Sequence, residues 1–211
     1  ALTEKHYYDL FPSLFINYNW TKTNQLQLNY TRRISRPNGW QLNPFKNISD
    51  SKNIRFGNPN LDPEYSNSFE LNYIKTLGKH SVSVSGYFRN TDNVIQRISY
   101  LYSDIMYNTS DNIISSVSSG TEIVLKSSIA KFLNITTTAN IYYYHLNGFD
   151  YLVPATGYHL VGQSQSNVSW NVRMMAQAVL PAGFTLQLNG GYNAPRVVSQ
   201  GTTDADFSID F

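Results

Sequence analysis

Over most of this chain apolar and polar residues alternate one for one, and that period of two constrains the fold more than any other property. Between Leu14 and Trp20 the even positions read Leu14, Ile16, Tyr18 and Trp20, with Asn17 and Asn19 between them. Leu26, Leu28, Tyr30 and Ile34 then oppose Gln25, Gln27, Asn29, Thr31 and Arg33. The pattern returns with Phe69, Leu71 and Tyr73, and again with Val82, Val84 and Phe88 against Ser81, Ser83, Ser85 and Arg89. It continues through Ile123, Leu125 and Ile129, then Leu133, Ile135, Ala139, Ile141 and Tyr143. Val168, Trp170, Val172, Met174 and Leu180 precede Phe184, Leu186, Leu188 and Tyr192, and a ninth segment begins with Ala205, Phe207, Ile209 and Phe211. Each segment is predicted to be a strand with one apolar and one polar face.

The connections are of two kinds. Short turns at Thr21 to Asn24, Leu77 to His80, Ala130 to Lys131 and Pro181 to Gly183 alternate with polar links over Arg36 to Glu64, Asn90 to Gly120, Asn147 to Ser164 and Asn193 to Thr203. A meander with short turns at one end and long loops at the other is the organisation of an outer-membrane β-barrel. The spacing of the short turns, about fifty residues, approaches a propeller repeat, but each period holds two long strands and no recurring motif. A soluble β-sandwich is the serious competitor. Against it stand strands of about ten residues rather than five or six, and aromatics at the segment ends: Trp20, Tyr30, Tyr142 to Tyr144 and Tyr192.

Composition adds exclusions. Mean hydropathy is -0.34 and no run approaches the roughly eighteen apolar residues of a membrane-crossing helix, a test to which a barrel is invisible. There is no cysteine, hence no disulfide or thiolate site. A net charge of +2 without a basic run offers nucleic acid no footprint. Ala1 to Tyr8 lacks the basic and apolar regions of a signal peptide, so a mature or internal stretch is expected.

The link after the second segment carries Arg33-Ile34-Ser35-Arg36-Pro37, Leu42-Asn43-Pro44-Phe45 and Gly57-Asn58-Pro59-Asn60-Leu61-Asp62-Pro63-Glu64. In these strings, with Gly57, Asn58, Pro59, Leu61, Pro63 and Glu64 as motif positions, the chain resembles the C-terminal barrel region of TonB-dependent outer-membrane receptors, in particular the Bacteroidetes-type outer membrane protein β-barrel family. Val94-Ile95-Gln96-Arg97 and Asn193-Ala194-Pro195-Arg196 extend the likeness. The resemblance implies an all-β, antiparallel, transmembrane and partial barrel: residues 1–211 form one barrel domain of eight strands and the start of a ninth, out of roughly 22. It implies a location in the outer membrane of a Gram-negative bacterium and energy-coupled import of a scarce nutrient such as a siderophore, glycan or peptide. The implied partners are outer-membrane lipid, an N-terminal plug domain, the TonB complex and a small or oligomeric ligand. Neither plug nor TonB-interacting segment is read in 1–211, and truncation is a better account of Phe211 than a native terminal aromatic.

In the loop spanning 35–64, Pro37, Pro44, Pro59 and Pro63 restrict the backbone while Gly39 and Gly57 permit unusual conformations, so the loop is expected to hold a shape. Arg36, Trp40, Phe45 and Arg55 are its ligand-contact residues if it lines the mouth; packing on neighbouring loops is the plainer alternative. His6, His80, His145 and His159 are dispersed, so no metal or cofactor is expected. No carboxylate pair sits with a nucleophile in a catalytic string, so no enzyme is expected. A passive or structural barrel and a soluble binding module remain the other functional readings.

Overall fold

A computed structural model describes residues 8–153, 157–198 and 201–211. In chain order the elements are β1 (Ser13–Thr21), β2 (Asn24–Ser35), a one-turn helix α1 (Gly39–Leu42), β3 (Asn53–Arg55), β4 (Glu64–Leu77), β5 (His80–Tyr102), β6 (Ile105–Ala130), β7 (Leu133–Leu146), β8 (Phe149–Val153), β9 (Tyr158–Gly162), β10 (Gln165–Val179), β11 (Thr185–Asn193), β12 (Arg196–Val198), β13 (Gly201–Thr203) and β14 (Asp206–Asp210). The main sheet runs β1-β2-β4-β5-β6-β7-β10-β11-β14, each strand antiparallel to the next, with β3 joined to β6 off this path. These nine meander strands are the nine alternating segments of the sequence. Among the described residues β1 and β14 do not pair with each other, so the sheet is an open, partial barrel wall.

Register carries the alternation of each strand into a common face. Leu28 pairs with Leu71, Tyr73 with Val84, Val84 with Ile123, Ile141 with Trp170, Val172 with Tyr192 and Ala178 with Leu186. Leu28, Leu71, Val84, Ile141, Val172 and Leu186 therefore share one surface. Leu71 is 51% exposed and Leu186 57%, whereas Val172 is half-buried beside Tyr192. The opposite face is polar and tied together: Asn72 donates to Gln27 at 3.2 Å and accepts from the Ser83 and Ser85 hydroxyls at 2.6 and 3.1 Å. On the polar face of this wall Asn72, Ser85 and Ser169 are buried, whereas Leu28, Leu71, Ile141 and Leu186 on the other face are exposed, the reverse of a water-soluble domain. The buried apolar residues of these strands, Val94, Ile98, Ile114 and Leu146, lie toward the long-loop end.

Aromatic residues mark the limits of the apolar band. Tyr30 packs against Phe69 in a tilted pair with centroids 4.7 Å apart and donates its hydroxyl to Asn67, toward the long-loop end. Tyr73 donates to Asn24 at 2.6 Å, beside the Lys22-Thr23 turn at the other end. The two phenols thus reach for polar partners in opposite directions, as interfacial belts do. The Leu28–Leu71 pair lies between them.

The short turns fall where the sequence places them, with Gly78 at φ 61° and Ala182 and Gly183 at 65° and 82° supplying the reversals. The long links need correction. Asn90 to Gly120 is no loop: β5 and β6 continue through it as one hairpin of 23 and 26 residues, closed by Ser103-Asp104, both at positive φ. The alternation of short and long connections is accordingly broken at that turn. Asn147 to Ser164 contains the β8–β9 hairpin, Asn193 to Thr203 contains β12–β13, and the loop spanning 35–64 contains α1 and β3. About ten tilted residues suffice to cross a membrane, so β5 and β6 rise well beyond their neighbours. Outside the lipid both faces of a strand can be polar, and the signal of alternation fades there.

The band makes a prediction. Leu28→Arg should destabilise the intact protein by roughly 2–4 kcal/mol in a reversible bilayer-unfolding measurement, and Gln27→Arg by much less. Equal effects would contradict the assignment of faces.

Candidate functional site

The long-loop end is built around the β5–β6 hairpin. Beyond Ser116, β6 has lost β7 as a neighbour, and its bare edge is taken by β3, parallel, with Ile54 opposite Tyr107 and Arg55 opposite Asn108. The Asn108 amide donates to Asn53 Oδ1 at 2.7 Å, and the Phe56 N–H donates to the Asn108 carbonyl. Because β2 and β4 lie on the β5 side, the chain between them must cross the hairpin to reach this edge and cross back to begin β4. An unpaired edge is thereby covered by the protein's own chain.

Short polar side chains shape the crossing. Asn38 and Gln41 cap α1 reciprocally, and Asn43, Asn47, Asp50 and Asn58 each accept a bond from the backbone N–H two residues on. The motif residues tie the outgoing and returning limbs together. Gly57 and Asn58 donate their N–H groups to the carbonyls of Asn43 and Gln41, both at 2.7 Å. A Cβ on Gly57 would collide with the Gln41 carbonyl and lie 2.7 Å from the Asn43 nitrogen, so only glycine allows this approach. Leu61 is 1% exposed and Pro63 is fully buried. Asn112 exchanges bonds with the Asp62 backbone at 2.7 and 2.9 Å, and Glu64 accepts the Ile95 N–H at 2.7 Å beside the bulge where Asn93 has φ 56°.

A second support is apolar. Val94, Ile114, Leu146 and Phe149 form a buried cluster, with Tyr144, Tyr151 and Leu160 packed against it, so the β8–β9 hairpin is held against the β5–β6 hairpin. Burial pushes the Tyr151 phenol up, helped by the carboxylate of Asp111, and burial and then Tyr107 do the same to Tyr100. Both phenols stay neutral at physiological pH.

Between the loop and the hairpin lies a cleft of about 770 Å³. It gathers three residues picked out in the sequence, Trp40, Phe45 and Arg55; Arg36 is exposed and does not line it. Trp40 is 87% exposed and Phe45 82%, so neither serves a core. The structure adds Lys46 and Arg97, which sequence reasoning missed. Lys46 Nζ sits 5.9 Å from the Phe56 ring centroid and 5.7 Å from that of Tyr107, while Arg97 stands opposite Ser110 on the hairpin. Arg97 belongs to a string that extends the family likeness, but nothing local marks it as a cleft residue, because its place depends on the hairpin extending past the wall. A second concavity of about 650 Å³ lies on the polar face of the wall, lined among others by Glu70, Tyr87, Arg89, Glu122 and Arg196. There Tyr87 crosses Gly120 to donate to Asn140, and a Cβ on Gly120 would lie 2.8 Å from its hydroxyl.

An antiparallel meander with an apolar outward band, a polar inner face and a structured superstructure at one end defines a wall segment of an outer-membrane β-barrel. The chain belongs to the outer membrane protein beta-barrel family, whose model matches residues 1–211, and its place is the outer membrane of a Gram-negative bacterium. The siderophore receptor PirA from Pseudomonas aeruginosa superposes with a TM-score of 0.53 at 17% identity, over 94% of this chain and 41% of the receptor. The ferric enterobactin receptor PfeA of the same organism gives 0.48 at 15%, over 87% and 34%. The FrpB iron transporter from Neisseria meningitidis gives 0.44 at 10%, over 88% and 34%. The likeness to PirA shows a shared fold, of which this chain spans less than half the length. No curated protein matches the sequence. Membership of an outer-membrane barrel family agrees with the expectation of a barrel that is not an enzyme.

The motif yields two predictions. Gly57→Ala should loosen the crossing loop by about 1–3 kcal/mol, seen as faster proteolysis within 36–63 while the wall stays folded. Glu64→Ala should cost about 1.5–3 kcal/mol locally and speed hydrogen exchange at the Ile95 amide. Unchanged cleavage and unchanged exchange would show that these contacts do not hold the loop.

Proposed function

We propose that this chain is the wall and ligand-facing part of an outer-membrane importer that takes up a scarce nutrient in an energy-coupled manner. The asymmetry of the sheet carries the reading. One end has only short turns, whereas the other holds a buttressed structure with a cleft of exposed aromatic and cationic side chains. Trp40, Phe45 and Arg55 are the capture residues, and the long-loop end faces the exterior. The polar inner face suits a water-filled or protein-filled lumen, and we assign to the complete importer a plug domain and contact with the TonB complex. Residues 1–211 form one barrel domain in this reading, surrounded on its apolar face by outer-membrane lipid. A passive barrel shares the wall but has no need of the cleft.

Two measurements test the reading. With single cysteines on intact cells, an impermeant maleimide should label Asp104→Cys at the hairpin tip and spare Lys79→Cys and Lys131→Cys; the opposite pattern would invert the orientation. Uptake of a nutrient that supports the parent strain but not a deletion strain should stop when the proton-motive force is dissipated. Uptake that continues unabated would favour the passive barrel.

A further inference from the structure

The chemistry of the loop-hairpin cleft is one-sided. Lys46, Arg55 and Arg97 line it, and no Asp or Glu does. Among the described residues none of these three cations is paired with a carboxylate. The concavity on the barrel's inner wall is different, with Glu70 and Glu122 set among its arginines. Gathering like charges without counter-charges opposes folding and concentrates positive potential in one place. Their backbone anchorage is defined as well: Arg55 stands on β3 where it pairs with β6, Arg97 stands in the hairpin ladder, and Lys46 Nζ lies over the Phe56 and Tyr107 rings. Trp40 and Phe45 add two flat faces with nothing packed over them, Trp40 on a capped helical turn.

We infer that this cleft binds an anionic ligand whose oxyanions are attached to a ring with an apolar face, the ring packing on Trp40 or Phe45 and the oxyanions held by Lys46, Arg55 and Arg97. Guanidinium groups present paired donors to a carboxylate or to neighbouring oxyanions, and each bond to a charged group is strong when water is displaced. An acidic sugar and an aromatic carboxylate share this chemistry. The inference rests on the proposed role of the cleft in ligand capture and specifies the class of ligand.

The test is equilibrium binding to the intact protein purified in detergent, with galacturonate oligomers and salicylate as acidic probes and galactose oligomers and salicylamide as their neutral counterparts. At least one acidic probe should bind about tenfold or more tightly than its neutral counterpart, and which one does identifies the source. Arg55→Gln and Arg97→Gln should each weaken that binding by about tenfold, Arg55→Lys should retain part of it, and raising the salt concentration should weaken it further. Trp40→Ala should weaken the ring-bearing probe and leave binding of inorganic phosphate unchanged. Lys22→Gln, at the opposite end of the sheet, should change nothing. These side chains are exposed, so unaltered thermal unfolding of the variants shows that folding is intact. If acidic and neutral probes bind alike, if neither acidic probe binds, or if the arginine variants match the parent, the inference fails. Energy-dependent import of a neutral nutrient would overturn it while leaving the proposed importer standing.

Discussion

Hydrocarbon offers a peptide group no hydrogen-bond partner, and the arrangement of this protein follows from that demand. A strand in lipid must find its partners on both sides, so each strand of the wall is laddered to its neighbours in the simplest order, next to next. The same solvent dictates which side chains go where. Leu28, Leu71 and Ile141 lie outward because burying them is unnecessary in lipid, while Asn72, Ser83 and Ser85 satisfy one another on the inner face. A one-residue slip in any ladder would exchange these faces, so the register is fixed by solvent on both sides of the sheet.

Beyond the lipid the constraint is met by other means. Where the β5–β6 hairpin outgrows β7, water could satisfy the bare edge, yet the chain supplies β3 instead and locks the crossing with Gly57, Asn112 and Glu64. The described hydrophobic burial is concentrated here too, in Leu61, Ile98 and the cluster around Ile114 and Phe149. The molecule therefore has two regimes: an inside-out wall, and a superstructure that packs like an ordinary soluble domain.

That rigid superstructure lets a loop carry a cleft of defined shape. Held at both limbs and stitched to a strand edge, residues 39–57 present Trp40, Phe45, Lys46 and Arg55 from fixed backbone, and the hairpin contributes Arg97 from across the gap. The string in which the sequence resembles the receptor family is thus architectural: Gly57 to Glu64 hold the loop in place, and exposed aromatic and cationic side chains lie just before them.

Much was legible in the sequence because period two is a local property. Each of the nine strands, the outward set from Leu28 to Leu186 and the short turns could be read from neighbouring residues, since lipid on one face and water on the other stamp the pattern on every crossing segment. The stretch from Asn90 to Gly120 reads as a loop in the sequence for the same reason. Outside the membrane no solvent difference enforces alternation, and pairing of β5 with β6 over that stretch is a cooperative property of two strands far apart in sequence. The cleft was half legible: Trp40, Phe45 and Arg55 stand out within one loop, whereas Lys46 needs the rings of Phe56 and Tyr107 to acquire a position. The sequence by itself determined the wall, its faces and its turns, because solvent acts on each residue separately. Only the tertiary structure decided that the loop crosses the hairpin and brings Arg97 to Arg55, because that juxtaposition depends on which strand edge is left unpaired and on what covers it.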